Sequence, residues 1–292
     1  MLLIDIYLYI KRRADKRPVF LKNFVDQSHH HGTRTEDPSV SIIIPTRDKV
    51  ELLRACVESV IEKTIYKNYE IVVVDNQSVD PETLQYFDDL ISRGVRILKY
   101  PQEFNYSAIC NLAAANSTAE YLCFLNNDTE IIESDWLGNL VDHAANAEVG
   151  VAGSLLLYPN STIQHAGIAL GYTGIAGHPY SGETQTTAHL QGCFSVSGAT
   201  FACVVIAANK FNKVGGLDEL LPVGLNDVDF CLSATKAGLQ NLVCTRSVMT
   251  HAESKSRKSM KSIGGAFRAV RDVLYLSNKH SDELKADPYF LR

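Results

Sequence analysis

From Val40 to Asp128, short apolar runs alternate with segments of helical periodicity, and this alternation is what most limits the possible folds. Val40 to Ile44, Glu70 to Val74, Val95 to Leu98 and Tyr121 to Leu125 read as strands, the first stopped by Pro45. Lys49 to Lys63, the stretch after Asp80-Pro81, and Tyr106 to Asn116 read as helices, with Pro81 suited to a first helical position. Strands written as continuous apolar runs are buried on both faces, as in a parallel sheet with helices on either side. Repeated βα units of this kind predict an α/β fold with a doubly wound, mostly parallel, Rossmann-like sheet.

Three of those strands end in amide or acidic clusters: Pro45-Thr46-Arg47-Asp48, Asp75-Asn76-Gln77-Ser78 and Asn126-Asn127-Asp128. Such residues form turns for local reasons. They also stand where open α/β sheets gather ligands, beyond the carboxyl ends of the strands. Neither a G-x-G-x-x-G turn nor a G-x-x-x-x-G-K-[ST] loop is present. A diphosphate would have to be held another way, and Mg²⁺ or Mn²⁺ on one or two carboxylates is the obvious substitute.

The remaining sequence sets the surroundings. Of 292 residues 46% are hydrophobic and the net charge is -5, which does not favour nucleic acid as a partner. No stretch reaches the ~20 apolar residues of a membrane-spanning helix. The opening run Leu2 to Ile10 contains Asp5 and precedes its basic residues, the reverse of a secretory signal. Seven cysteines lie scattered with no C-x-x-C pair, so buried thiols in a reducing compartment are expected. Residues 1–38 form a basic extension and linker containing His29, His30 and His31, a solvated run or a metal tract. Residues 39–257 form the main domain and 258–292 a helical extension. Within the main domain, Trp136 to Ala147 reads as a helix, Val149 to Leu157 and Ala199 to Ala207 as strands, and Gly167 to Gly192 as glycine-rich loop. Asp227 to Ala237 reads as a helix stopped by Gly238, and Ile263 to Leu276 as the last one.

The stretches Ser41-Ile42-Ile43-Ile44-Pro45-Thr46, Ile71-Val72-Val73-Val74-Asp75-Asn76-Gln77-Ser78, Phe124-Leu125-Asn126-Asn127-Asp128, and Gly215-Gly216-Leu217-Asp218-Glu219 followed by Asn226-Asp227-Val228-Asp229 resemble a family 2 glycosyltransferase of the GT-A fold. They occur in the family's order and cover about residues 39 to 257. Ile163-Gln164-His165-Ala166-Gly167 and the segment from His251 to Arg257 further resemble the branch that builds bacterial surface polysaccharides, rhamnosyltransferases among them.

The resemblance implies a role for each matching position. Pro45, Thr46 and Asp48 line the nucleotide pocket, and Asp75 accepts from the base N–H with Asn76 and Ser78 beside it. Asn105 and Asn111 border the donor, or cap a helix. Asn126-Asn127-Asp128 takes the place of a D-x-D motif whose first Asp is Asn here, leaving Asp128 as its charged metal ligand. His251 completes the metal shell. Gly198 gives the donor sugar room, and Asp227, if not merely a helix cap, is the catalytic base. Asp229 and His165 stand on the acceptor side, with structural support as the other reading.

The expectation is thus an inverting glycosyltransferase using Mn²⁺ or Mg²⁺, with a UDP- or dTDP-sugar donor. Its acceptor would be a growing polysaccharide or lipid-linked oligosaccharide at the cytoplasmic face of a bacterial membrane, with peripheral contact through the basic termini. Two other readings stay open: a nucleotidyltransferase, and a catalytically silent nucleotide-sugar-binding domain of a larger assembly.

Overall fold

The computed structural model describes residues 20–21, 37–172, 174–185, 190–252 and 263–291. The histidine run 29–31 and most basic residues of both terminal segments, including Lys255, Arg257, Lys258 and Lys261, lie outside the described residues.

The strands are β1 (Phe20–Leu21), β2 (Val40–Thr46), β3 (Tyr69–Asp75), β4 (Arg96–Lys99), β5 (Tyr121–Leu125), β6 (Thr129–Ile131) and β7 (Val149–Leu157). They continue with β8 (Ile163–His165), β9 (Ala169–Leu170), β10 (Ala176–Gly177), β11 (Cys193–Val196), β12 (Cys203–Ala207), β13 (Gln240–His251) and β14 (Phe290–Leu291). The helices are α1 (Val50–Lys63), α2 (Pro81–Ser92), α3 (Tyr106–Ala115), α4 (Trp136–Ala144), α5 (Ala208–Val214), α6 (Asn226–Lys236) and α7 (Ile263–Lys279).

One sheet runs β11-β13-β7-β12-β5-β2-β3-β4, with β6 beside β13 and β8 beside β7. Its ladders make β4, β3, β2, β5, β7 and β13 run in one direction, and β12 and β11 in the other. The sheet is mostly parallel, as the alternation predicted. Successive side chains of the apolar runs enter opposite cores, because strand side chains alternate between faces. Ile42, Ile44, Val73, Cys123 and Leu125 pack with residues of α1, α2 and α4, such as Leu53, Leu90 and Leu140. Ile43, Val72, Val74, Leu122 and Phe124 pack with Ile109 of α3, Phe211 of α5 and Phe230 of α6. Each fully buried Ile, Leu or Phe contributes ~1.5–3 kcal/mol relative to exposure.

Two strand boundaries differ from expectation. β2 continues through Pro45 to Thr46, although proline cannot donate to a ladder. Its pairing with β5 ends at Ile43, so at Pro45 only the β3 side remains paired and the missing N–H costs little. The expected strand from Ala199 begins only at Cys203, because residues 199–202 turn beneath the end of β5. Asp80 caps α2 by accepting from Thr83 N at 3.1 Å, with Pro81 at its start. Residues 263–291 pack on the same body. Leu276 shares a core with Val228 and Leu232, and Phe290 joins the core that holds Phe194 and Val196. Asp287 accepts from Leu170 N and from Ser197 Oγ, and β14 pairs with β1.

Candidate active site

The carboxyl end of β5 delivers Asn126-Asn127-Asp128, and the last residue of β13, His251, stands opposite Thr129 in the β6 ladder. Ala252 N also donates to Asp128 O at 2.9 Å. Residues about 120 positions apart in sequence thus meet, with Asp128 Oδ1 3.0 Å from His251 Nε2. Asp128 is 9% exposed. Asn126 Nδ2 lies 3.5 Å from the same imidazole nitrogen. A carboxylate and an imidazole converging with an amide alongside fit Mn²⁺ or Mg²⁺, with phosphate oxygens able to complete the shell.

The residues expected on the nucleotide side meet at the same sheet end. Thr46 and Asp75 are register partners at the ends of β2 and β3. Asn127 Nδ2 donates to Thr46 Oγ1 at 2.9 Å, joining the β5 loop to the β2 loop. Asp48 Oδ1 accepts from Val79 N and Asp80 N, while Asp48 N donates to Ser78 Oγ, so Asp48 and Ser78 bind the two loops to each other. Asp75 accepts from Ser78 N at 2.9 Å and Lys99 Nζ at 2.8 Å. Burial opposes its charge, but Lys99 and Ser78 outweigh burial and hold the carboxyl below its ordinary value. Asn76 donates to Tyr100 O and Gln102 O, and its buried Oδ1 has no hydrogen-bond partner among the described residues.

Asp227, half-buried, sits in the first turn of α6, where Asn226 Oδ1 accepts from Asp227 N. Asn226 is 5% exposed, and its Nδ2 has no partner among the described residues. The loop below β5 connects this turn to the rest of the site. Ala199 N donates to Cys231 Sγ of α6, Phe201 O accepts from Tyr106 Oη, and Ala202 O accepts from Asn126 N. Gly198 lies in that loop, paired with Ile168. A Cβ there would meet Cys231 and Ile168 at 3.5 Å, an ordinary contact, so protein packing alone does not require glycine.

Other expected residues bond to protein groups. Asn105 caps α3 and donates to Glu219 O, and Asn111 exchanges bonds with Leu217, so both amides hold the 217–219 loop. Asp229 makes the contacts that its reading as structural support expects. It is 2% exposed, and its oxygens bind Lys279 at 2.9 Å and His280 at 2.8 Å. His165 is likewise 1% exposed, and its ring nitrogens face protein groups. Its Nε2 accepts from Gly167 N and Thr200 N, so its proton sits on Nδ1 and donates to His178 Nδ1 at 2.9 Å. Burial, then His178 and His251, push its pKa well below the ordinary histidine value.

Lys99 and Gln164 hold site residues and were not singled out from the sequence. Lys99 is the register partner of Asp75 in the β3–β4 ladder, which parallel pairing could have revealed. Gln164 Oε1 accepts from His251 Nδ1, and Gln164 Nε2 donates to His251 O at 3.3 Å. No local pattern marks that contact.

Comparison with known proteins bears on this geometry. Residues 41–196, just over half of the chain, match the family described as Glycosyl transferase family 2. The chain is 40% identical over 260 residues to the uncharacterized protein y4gI of Sinorhizobium fredii, covering 87% of this chain and 29% of that one. It is 37% identical over 227 residues to the O-antigen biosynthesis protein RfbC of Myxococcus xanthus, covering 76% of this chain and 18% of RfbC. The chain therefore spans less than a third of the length of these relatives. The mannosyltransferase PcManGT from Pyrobaculum calidifontis, solved with GDP-Man and Mn²⁺, matches its fold with a TM-score of 0.58 at 15% identity, covering 97% of this chain and 81% of that one. A mixed sheet whose strand ends carry the Asn126–Asp128 and Asp75 clusters, a matching family pattern and a shared fold agree on one conclusion: the chain belongs to glycosyltransferase family 2 and has the GT-A fold.

Proposed function

We propose that this chain is an inverting, metal-dependent glycosyltransferase that moves a sugar from a UDP- or dTDP-sugar to a hydroxyl of a polysaccharide or lipid-linked oligosaccharide. The observation that carries this reading is the 3.0 Å approach of Asp128 and His251 at the end of β5. In this reading Asp128 and His251 hold a divalent cation, which when bound neutralises charge on the departing diphosphate. That PcManGT was solved with GDP-Man and Mn²⁺ supports this choice of cofactor. Thr46, Asn127 and the bonded loops of Asp48 and Ser78 shape the nucleotide side, and Asp75 receives the base N–H through lone pairs left by Lys99 and Ser78.

Asp227 takes the proton of the attacking acceptor hydroxyl onto a carboxylate oxygen, a step worth ~10²–10⁴-fold when well positioned. The first turn of a helix suits a carboxylate, because backbone N–H groups point toward it. Attack from the side opposite the leaving nucleotide inverts the anomeric carbon. In this reading Gly198 lets the backbone of that loop approach the donor sugar. Similarity to RfbC supports surface polysaccharide as the product. The work then belongs at the cytoplasmic side of the envelope. In this reading any membrane contact is peripheral; no described helix is long and apolar enough to cross a membrane.

The test is hydrolysis and transfer of UDP- and dTDP-sugars with Mn²⁺, in the unsubstituted chain and in Asp128→Ala and Asp227→Asn. Asp227→Asn should lose ~10²–10⁴-fold in turnover while keeping nucleotide-dependent Mn²⁺ binding. Undiminished turnover in that variant removes the base assignment, and unchanged metal dependence in Asp128→Ala removes the metal assignment. Nucleotide-dependent Mn²⁺ binding with no turnover in the unsubstituted chain would make it a binding domain.

A further inference from the structure

Three residues far apart in sequence, His143, Cys193 and Cys244, bring one nitrogen and two sulfurs within 4.8 Å of one another. Among the described residues this is the one group of three His, Cys, Asp or Glu side chains so placed. The two cysteines are register partners across the antiparallel β11–β13 ladder. The flanking pair is the hydrogen-bonded one, since Thr245 N donates to Gly192 O at 2.9 Å. Cys193 and Cys244 therefore form a non-hydrogen-bonded pair, in which facing Cα atoms stand only ~4.5 Å apart and the side chains leave the same face. Helix α4 packs on that face, and His143 in its last turn brings Nε2 to 2.9 Å from Cys193 Sγ.

We propose that His143, Cys193 and Cys244 form a second metal site, for a soft or borderline cation such as Zn²⁺, distinct from the site of Asp128 and His251. Two thiolates and one imidazole are the ligand types such ions prefer, and small adjustments reach Zn–S and Zn–N distances of ~2.3 and ~2.0–2.1 Å. Mn²⁺ and Mg²⁺ prefer oxygen ligands and are not selected here. Binding replaces the two thiol protons with the dication, so two protons leave and the buried group is neutral. In the metal-free protein burial, with the neighbouring Cys193 thiol, pushes the Cys244 thiol well above its ordinary range. Half-buried His143 marks the solvent side of the group, where a fourth ligand can enter. Cys244 pairs with Ser154 and Thr250 with Leu157 across an irregularity in β13, so Cys244 and His251 stand about four rungs apart, ~13 Å along the sheet.

The site would tie α4 to the outer strand pair β11–β13. The experiment is titration of the intact, reduced chain with Co²⁺, read by the thiolate-to-metal charge-transfer absorption that oxygen ligands do not give, followed by displacement with Zn²⁺. One equivalent per chain with that absorption is expected, together with protection of two thiols from alkylation by Zn²⁺. His143→Gln should weaken binding by more than the ~10–100-fold typical of losing an outer partner of a ligand, and Cys244→Ser should abolish the absorption. Asp128→Ala should leave both unchanged. If Cys244→Ser does not fold, thiol protection in the unsubstituted chain and in His143→Gln decides alone. Absence of the charge-transfer band, or binding unaltered by His143→Gln, overturns the proposal.

Discussion

Gln164 grips His251 at two points, accepting from the imidazole Nδ1 and donating to the backbone carbonyl of the same residue. With Nδ1–H committed to Gln164, Nε2 is the nitrogen turned toward Asp128. A partner that orients a metal-binding histidine commonly accounts for ~10–100-fold in metal affinity. Gln164→Leu should weaken nucleotide-dependent Mn²⁺ binding by about that factor, and Gln164→Glu, which keeps the acceptor, should restore most of it. Mn²⁺ titration followed by electron paramagnetic resonance checks this. Equal affinity in Gln164→Leu would reduce Gln164 to packing.

Asp229 offers a separate test of support against substrate contact. Its carboxylate is 3% exposed and joins α6 to Lys279 at the end of α7 and to His280, itself fully buried. Losing that carboxylate leaves fully buried His280 without its partner, a cost of ~1–3 kcal/mol, while Lys279 keeps Asp218 at 2.6 Å. Asp229→Ala should therefore lower urea stability by that order, with KM for the donor little changed in whatever remains folded. Full stability with a selective rise in the acceptor KM would return Asp229 to the acceptor side.

Glycine substitutions separate backbone strain from crowding. Gly167 and Gly182 both have positive φ, +98° and +90°. A Cβ at Gly182 meets nothing within 4 Å, whereas one at Gly167 would lie 2.5 Å from Val196 Cγ1. Gly182→Ala should cost only the left-handed backbone penalty of ~1–2 kcal/mol. Gly167→Ala should add an overpacking cost of ~1–3 kcal/mol in the same denaturation assay. Equal costs would mean that the Val196 wall yields freely.

The sheet was readable because its central strands are buried on both faces, which writes Ile42-Ile43-Ile44 and Val72-Val73-Val74 as unbroken apolar runs. The direction of β12 was not readable. Cys203-Val204-Val205-Ile206-Ala207 looks the same whichever way it runs, and only its place between β5 and β7 makes it antiparallel to both. Strand-end residues such as Thr46, Asp75 and Asp128 could be found because topology puts parallel strand ends together. Gln164 acts on a residue 87 positions away, and Asp229 on residues 50 and 51 positions away. Cys193 and Cys244 are likewise brought opposite each other only by strand pairing. Such contacts carry no local signature.

The pH dependence of stability should expose His165. Its Nε2 receives two backbone N–H groups, its Nδ1 faces His178, and it is 1% exposed, so the folded protein keeps it neutral. The unfolded chain takes up a proton near pH ~6.5, while the folded chain refuses it until much lower pH. Below pH ~6.5 the unfolded state then binds more protons, and stability falls on acidification by up to ~1.4 kcal/mol per pH unit from this residue. Above that range the residue contributes no slope. His165→Gln keeps an acceptor for Gly167 N and Thr200 N but cannot titrate, so between pH ~6.5 and 5 its urea-unfolding free energy should decline less steeply by about that amount. The carboxylates are the same in both proteins, so their contributions largely cancel in the comparison. Parallel slopes in the two proteins would mean that His165 accepts a proton in the folded state, and the assignment of its proton to Nδ1 would fail with it.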